Sequence, residues 1–214
     1  MLRCRKFLIN IIYLSIIAST ISSYAEEEIE DLIDIAESNG KIIAILEGRK
    51  TITFDLRPNE KVLWSGANGY LGAFLTDSRF FVISISLDAW QALPLRIDES
   101  GKSVASLSAY IALLVTKDRA VGFDATSNRF IETQLPMHDE LLAAETEKYV
   151  AVVITSSRAF GLAAESSAFT EIHLRVGETL EAIKLTSSKA TVRTSDRLLT
   201  FEASGSPWNE HRLY

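Results

Sequence analysis

The stretch YIALLVTKDRAVGFD, residues 110–124, decides how this chain is interpreted. Two runs of β-branched and apolar residues flank the polar pair Lys117-Asp118, which is the pattern of two short strands joined by a tight turn. The turn, a threonine followed three residues later by an arginine, is written four times in the sequence. The four segments are TDSR from Thr76, TKDR from Thr116, TSSR from Thr155 and TSDR from Thr194.

The arginine of this turn recurs at a nearly constant interval, as Arg79, Arg119, Arg158 and Arg197. A step of similar size back from Arg79 reaches Lys41, which follows an Asn-Gly pair, a strong signal for a two-residue hairpin. The chain therefore contains five copies of a unit of about 39 residues. Other landmarks keep the same register, namely Leu56, Leu95, Leu135, Leu174, Leu213, Tyr70, Tyr110 and Tyr149.

Each unit has room for four short strands, which in the third copy are YIALLVT, RAVGFDA, RFIETQL and, last, ELLAAET. A four-stranded sheet with two apolar faces must bury both of them, and packing such sheets around an axis does so. The repeat resembles the β-propeller architecture across residues 26–214, although it carries no Trp-Asp, kelch or sialidase signature. The resemblance implies an all-β fold, a five-bladed β-propeller of about 39-residue four-stranded repeats. An open stack of small sheets and an orthogonal sandwich are the alternatives, and both leave exposed sheet edges.

The two ends of the chain bear on closure of the predicted ring. The last copy stops at Leu213-Tyr214, where the other copies complete their third strand, so we expect it to lack a fourth strand. The segment EEEIE at 26–30 stands in the register of a fourth strand. We predict that this segment completes the last blade as its outermost strand and so joins the ends of the chain.

Residues 1–25 have the pattern of a secretory signal peptide. A basic start precedes the apolar run FLINIIYLSIIASTISS, and the small residues Ser23 and Ala25 suit cleavage after Ala25. We therefore expect a periplasmic or secreted domain of residues 26–214, with an uncleaved membrane anchor as the alternative. The single cysteine, Cys4, lies in the predicted leader, so the exported chain would contain no disulfide, which is consistent with a bacterial envelope.

The chain is acidic, with 22 Lys and Arg against 28 Asp and Glu and a net charge of −6. Removal of the leader would take away three basic residues and leave 19 against 28, a net charge of about −9. This balance disfavours nucleic acid and anionic membrane surfaces as partners. We expect another envelope protein or a glycan as the partner.

The repeated basic residue has two interpretations. In a propeller the five turns lie on one face and place their basic residues around the axis. In the first interpretation each one pairs with Asp77, Asp118, Asp196 or a neighbouring blade and staples the blades together. In the second the ring binds an anion, because the arginine fork matches carboxylate and phosphate geometry. The candidate ligand-binding residues are Lys41, Arg79, Arg119, Arg158 and Arg197.

Aromatic side chains occupy one further repeat position, at a constant offset after the arginine. Packing between blades is one role for them. A repeated aromatic residue beside polar turns is also what a multivalent lectin would use, so these side chains are candidate ligand-binding residues. They are Trp90, Phe130, Phe169 and Trp208.

Catalytic and metal-binding patterns are weak in this sequence. It has no Gly-x-Ser-x-Gly elbow, phosphate loop or dinucleotide fingerprint, and His138, His173 and His211 lack a metal-ligand spacing. A glycoside hydrolase would need converging carboxylates, for which the candidates are Asp55, Asp124 and Glu202. We therefore expect, without cofactor or metal, an exported non-enzymatic β-propeller that acts as a protein-interaction or scaffold module in the bacterial envelope. A lectin-like carbohydrate-binding protein and a small glycoside hydrolase are the alternatives.

Overall fold

The computed structural model describes residues 30–213, which form five antiparallel sheets. The first sheet contains β1 (Ile33–Ser38), β2 (Lys41–Leu46) and β3 (Lys50–Asp55). The second contains β4 (Val62–Asn68), β5 (Leu71–Thr76), β6 (Arg79–Ser84) and β7 (Gln91–Pro94). The third contains β8 (Val104–Leu107), β9 (Ile111–Val115), β10 (Arg119–Asp124) and β11 (Arg129–Gln134).

The last two sheets have the same plan. The fourth contains β12 (Leu141–Glu147), β13 (Val150–Thr155), β14 (Arg158–Ala163) and β15 (Thr170–His173). The fifth contains β16 (Leu180–Thr186), β17 (Lys189–Thr194), β18 (Arg197–Glu202) and β19 (Asn209–Arg212). A short 3-10 turn at Ser100–Lys102 is the only helical element within 30–213, and no helix there is long and apolar enough to cross a membrane.

The predicted five-unit, all-β propeller is confirmed. Consecutive strands are hydrogen-bonded neighbours within each sheet. The first strands of these sheets contact one another in turn, β4 with β8, β8 with β12 and β12 with β16, which places them nearest the axis. The predicted hairpin at Asn39-Gly40 is also present, because both residues have positive φ angles of 51° and 71°, as a type I′ turn requires.

The predicted boundaries of the unit are shifted by one strand. The segment that forms β12 was expected to end the third unit, but it is the innermost strand of the fourth sheet. By the same shift, the fifth sheet has four strands of its own, so the prediction that it lacks one is wrong. The first sheet has three described strands. The segment 26–30, predicted to complete the last blade, lies outside the described residues except for Glu30.

Apolar side chains fill the spaces between consecutive sheets. Between the third and fourth sheets, Ile111 and Leu113 pack with Val153, Phe160 and Leu162, all of which are inaccessible to solvent. Equivalent clusters join the first sheet to the second, the second to the third and the fourth to the fifth. Burial on both faces is what produces the continuous apolar runs of the central strands such as β9 and β13.

The outward faces of the two end sheets are more polar. Val150, Val152 and Ile154 of the fourth sheet are buried against the fifth. The corresponding positions of the fifth sheet, one repeat later, are Lys189, Thr191 and Arg193. In the first sheet, the outward residues of β1 are exposed and include Asp34 and Ser38. Within 30–213 the first and last sheets share no buried apolar cluster.

Candidate functional site on the connection face

The four connections between sheets have one shared geometry. Each is a four-residue turn in which the N–H of the fourth residue donates to the carbonyl of the first, over 3.0 to 3.2 Å. The third residue of each turn has a positive φ of 67° to 82°, as in a type II turn. We call the end of the molecule that carries these turns and the Thr-x-x-Arg hairpins the connection face. The turns are residues 57–60, 96–99, 136–139 and 175–178.

The fourth residue of each connecting turn is acidic and is held by the hairpin of the sheet that follows. Glu60 accepts the backbone N–H of Arg57 at 2.9 Å and the hydroxyl of Thr76 at 2.7 Å. The guanidinium of Arg79 donates to the same carboxylate through Nε, at 3.0 Å, and through Nη2. The threonine hydroxyl also accepts the N–H of Arg79 at 2.9 Å. One buried carboxylate thus ties the connection to the Thr-x-x-Arg hairpin, an arrangement we call a clamp.

Two further clamps repeat this geometry and add a second carboxylate. Arg119 donates from Nε and Nη2 to the two oxygens of Glu99, both at 2.8 Å, and from Nη1 to Glu132 at 2.8 Å. Arg197 binds Glu178 in the same side-on manner, at 2.9 and 3.0 Å, and its Nη1 bonds Glu210. The Nη2 groups of these arginines also donate to carbonyls in the last strand of the preceding sheet, those of Pro94 and His173. Each of these arginines therefore joins two consecutive sheets.

The clamps keep their carboxylates ionised. Burial opposes ionisation of Glu60, but hydrogen bonds from Arg79 and Thr76 outweigh it and hold the pKa at about 2. The pKa of Glu178 is likewise about 2, because hydrogen bonds from Arg197, the backbone of Arg175 and Thr194 outweigh burial. The pKa of Glu99 is lowered by the same balance, with Arg119 as the main donor. The three clamps are ion pairs at neutral pH.

The structure places the predicted basic residues at one end of the sheets, each at the start of the strand after a hairpin. It does not pair the arginines with Asp77, Asp118 or Asp196, because the clamp carboxylates of the preceding connections take those bonds. Lys41 has no clamp among the described residues and pairs with Asp55 across β2 and β3, at 3.2 Å. Ligand binding by the five residues stays a prediction.

The fourth-sheet clamp is incomplete. Its acidic residue is Asp139, which is one methylene shorter than glutamate. Asp139 accepts the hydroxyls of Thr155 and Ser157, at 2.6 and 2.5 Å, but forms no ion pair with Arg158. Arg158 donates from Nη1 to Glu171, at 3.0 and 3.3 Å, and its buried Nε has no partner among residues 30–213. Among the four repeat arginines, Arg158 is the one whose Nε–Nη2 edge meets no carboxylate of the described chain.

The second residue of every connecting turn is apolar and exposed. Ile97, Met137 and Val176 have relative exposures of 92%, 77% and 108%, and Pro58 is also exposed. They occupy one repeat position and recur at the same interval as the arginines. We call Pro58, Ile97, Met137 and Val176 the turn-tip row. Single exposed apolar residues are common on protein surfaces, but here one recurs at the same position of all four connecting turns.

The repeated aromatic position is buried between sheets. Trp90 lies against Phe74, with ring centroids 5.5 Å apart, and its indole N–H donates to the carbonyl of Ile52 in the preceding sheet at 3.4 Å. Trp208 has the equivalent contacts, including a 3.3 Å bond to the carbonyl of Thr170. Phe130 packs on Phe123, and Phe169 is a partly buried member of the cluster between the third and fourth sheets. These contacts match the packing interpretation of the aromatic position.

The other candidate polar residues are not brought together. Asp55 pairs with Lys41, Asp124 accepts the N–H groups of the turn that follows it, and Glu202 lies 3.8 Å from Lys189. These carboxylates stand in three different sheets. The described residues contain no cluster of three or more His, Cys, Asp or Glu side chains that could hold a metal ion.

The opposite end of the molecule carries a stack of three tyrosines, one from each central sheet. The ring centroids of Tyr70 and Tyr110 are 4.9 Å apart, and those of Tyr110 and Tyr149 are 4.6 Å apart. Burial raises the pKa of the Tyr110 hydroxyl well above its usual value, and hydrogen bonding with Tyr149 and Tyr70 acts in the same direction. The amides of Tyr70 and Tyr149 donate to carbonyls of the next sheet, so the stack joins consecutive sheets.

Sequence reasoning missed the clamp carboxylates and the turn-tip row. The signal was present, since Glu60, Glu99, Asp139 and Glu178 recur at nearly equal steps, in phase with the arginines. An acidic residue in a polar turn is usually solvated, so the pattern alone does not distinguish a buried ion-pair partner from a solvated one.

No protein-family model and no curated protein sequence matches the chain. Solved structures that it resembles include PorZ, a bacterial surface component of the type-IX secretion system of Porphyromonas gingivalis, at 12% identity and a TM-score of 0.42. BamB from Moraxella catarrhalis matches at 13% identity and 0.35, and the WD40 domain of SCAP from fission yeast at 8% identity and 0.39. Each alignment covers 86% of this chain but only 27%, 62% and 53%, respectively, of the other chain. These similarities concern the fold alone.

Proposed function

We propose that the chain is a protein-interaction module of the bacterial envelope and that the connection face is its binding surface. The observation that carries the proposal is the turn-tip row. Four aliphatic or proline side chains stand in solvent at one repeat position, each on a turn whose acidic fourth residue is hydrogen-bonded to the next hairpin. Burying them against a partner removes apolar surface from water without the cost of ordering loops.

A triple variant of the row tests this function. Ile97→Ser, Met137→Ser and Val176→Ser together remove the apolar tips, while the buried clamps stay intact. After cross-linking in cells of the source bacterium, we expect a discrete partner to co-purify with the tagged wild-type chain and to fall at least ~10-fold with the triple variant, a loss of about 1.4 kcal/mol. Val104→Ser, at an exposed aliphatic residue outside the row, is the matched control. Equal recovery with the wild type and the triple variant contradicts the proposal.

Export is the second part of the proposal and is supported by the leader pattern of residues 1–25. Cell fractionation followed by N-terminal sequencing tests it separately from binding. We expect the chain outside the cytoplasm with Glu26 as its first residue. A cytoplasmic chain that retains Met1 would contradict export and leave the binding test unaffected.

A further inference from the structure

We infer that Arg158 binds a side-chain carboxylate of the protein partner, and that apolar residues next to that carboxylate contact Met137 and Val176. This inference rests on the proposed function and names the chemistry of the segment that the connection face accepts.

Three clamps show how a guanidinium in this position is satisfied. In each, the Nε–Nη2 edge of the arginine faces both oxygens of one glutamate, that is Glu60, Glu99 or Glu178. Arg119 and Arg197 hold a second glutamate at Nη1 at the same time. The environment at the start of these strands therefore accommodates two carboxylates around one guanidinium.

Arg158 has only the second of these two partners. Its Nη1 bonds Glu171, as the Nη1 groups of Arg119 and Arg197 bond their equivalents 13 residues downstream. Its Nε has no partner in the described chain, because Asp139, one methylene shorter than glutamate, meets the hydroxyls of Thr155 and Ser157 but not the guanidinium. This Nε is covered by the chain itself, so a partner's carboxylate reaches the guanidinium through its exposed part and adds the second carboxylate that glutamate supplies in the other clamps.

Accessibility distinguishes Arg158 in the same way. Its side chain is 32% exposed, whereas the side chains of Arg79, Arg119 and Arg197 are 5% to 10% exposed. Of the four clamp arginines, Arg158 is therefore the one that a partner can approach. The other three are enclosed with their own glutamates.

The surroundings of Arg158 specify what should flank the carboxylate. The side chain of Asp139 accepts the hydroxyl of Ser157 and so holds the connecting turn 136–139, which carries Met137, beside the hairpin of Arg158. On the other side, the N–H of Leu174 donates to the carbonyl of Ser157 at 2.8 Å, and Val176 follows two residues later. Arg158 therefore lies between two exposed apolar tips. This placement fits a segment in which an Asp or Glu has apolar neighbours.

Selection of peptides on the full-length chain tests the inference. The probe is a phage-displayed library of random linear heptapeptides, followed by fluorescence anisotropy with the most enriched peptide and with its Asp→Asn or Glu→Gln analogue. Asp139→Glu is the decisive variant, because it is expected to complete the clamp with the chain's own carboxylate while keeping Arg158 and the fold. Asp34→Glu adds the same methylene at an exposed residue on the outward face of β1 and is the matched control.

We expect the enriched peptides to carry Asp or Glu beside apolar residues. Replacing the peptide's side-chain carboxylate with an amide and introducing Asp139→Glu should each weaken binding at least ~10-fold, and Asp34→Glu should leave it unchanged. The inference is overturned if no peptide is enriched over the bare support, if enriched peptides lack a carboxylate, or if Asp139→Glu binds them as the wild type does. A cellular partner that is lost with the turn-tip variant but retained by Asp139→Glu overturns only this inference and leaves the proposed function standing.

Discussion

Glu99 and Arg119 form a two-point ion pair, with Nε–Oε1 and Nη2–Oε2 distances of 2.8 Å. Both side chains are almost fully buried, and Glu99 also bonds the hydroxyl of Thr116 at 3.0 Å and the N–H of Arg96 at 2.6 Å. The pair therefore fixes the connection between the second and third sheets to the hairpin of the third. The repeated Thr-x-x-Arg turn provides this fixation in each sheet that has the acidic partner.

Removal of one member of this pair should destabilise the chain strongly. Glu99→Gln removes the buried negative charge and leaves one N–H of the Arg119 edge facing an amide NH2, and breaking a buried pair in this way costs about 3 kcal/mol or more. For a domain of this length that corresponds to a fall in Tm of about 9 °C. Calorimetry measures this fall in Tm. The control is Glu181→Gln, which removes one member of the exposed ion pair between Glu181 and Arg193 and should change the Tm little. Equal Tm values for the two variants would show that the clamp does not carry stability.

A reciprocal exchange of Asp and Glu tests why the fourth-sheet clamp differs. Asp139→Glu should reach Arg158, satisfy its buried Nε and raise the free energy of unfolding by about 1 to 2 kcal/mol. Glu99→Asp should convert a complete clamp into the shorter form and lower the free energy of unfolding by at least as much. Chemical denaturation of both variants measures the two changes. Changes of the same sign would contradict this explanation.

The clamps predict acid sensitivity. Glu60 and Glu178 have pKa values of about 2 in the folded chain against an ordinary value of 4.5, so folding favours their ionised forms. Their contribution to stability is present in full above roughly pH 4.5 and is lost as the pH falls towards about 2. Urea denaturation at a series of pH values should show this decline. The Glu60→Gln, Glu178→Gln double variant should show a shallower decline, and an unchanged slope in that variant would be evidence against the assignment.

Trp90 should behave as a core residue. Its ring is buried between the first and second sheets, so Trp90→Ala should cost about 3 to 5 kcal/mol. Thermal unfolding measures this loss. A glycan array with the folded wild-type chain is the companion measurement for the lectin alternative. A stable Trp90→Ala chain that lost a glycan signal would instead favour carbohydrate binding at this position.

Much of the architecture could be predicted because the sequence pattern repeats at a nearly constant interval. The spacing of Arg79, Arg119, Arg158 and Arg197 indicated the units, and the Asn-Gly pair before Lys41 indicated the first hairpin. The spacing did not indicate where a unit begins. A periodic pattern of strands is the same whichever strand is counted first, so the assignment of β12 required the packing around the axis.

The candidate site was less accessible to sequence reasoning. The arginines were identified, but their partners lie 19 or 20 residues upstream in irregular turns, where burial of a carboxylate has no compositional signature. Ile97, Met137 and Val176 are residue types common in protein cores, and only the turn geometry shows that they face solvent. The shorter side chain of Asp139 becomes informative only when it is compared with the glutamates of the three complete clamps.

Site-specific photo-cross-linking tests the central claim, that the connection face contacts a protein partner, most directly. A photoreactive amino acid is placed at position 137 or 176 of the turn-tip row, or at Ser167, which is exposed in the loop between β14 and β15 at the opposite end. On irradiation of cells that produce the chain naturally, we predict one discrete cross-linked protein from positions 137 and 176 and none from position 167. Cross-links from position 167 alone, or the same products from all three positions, would contradict the claim.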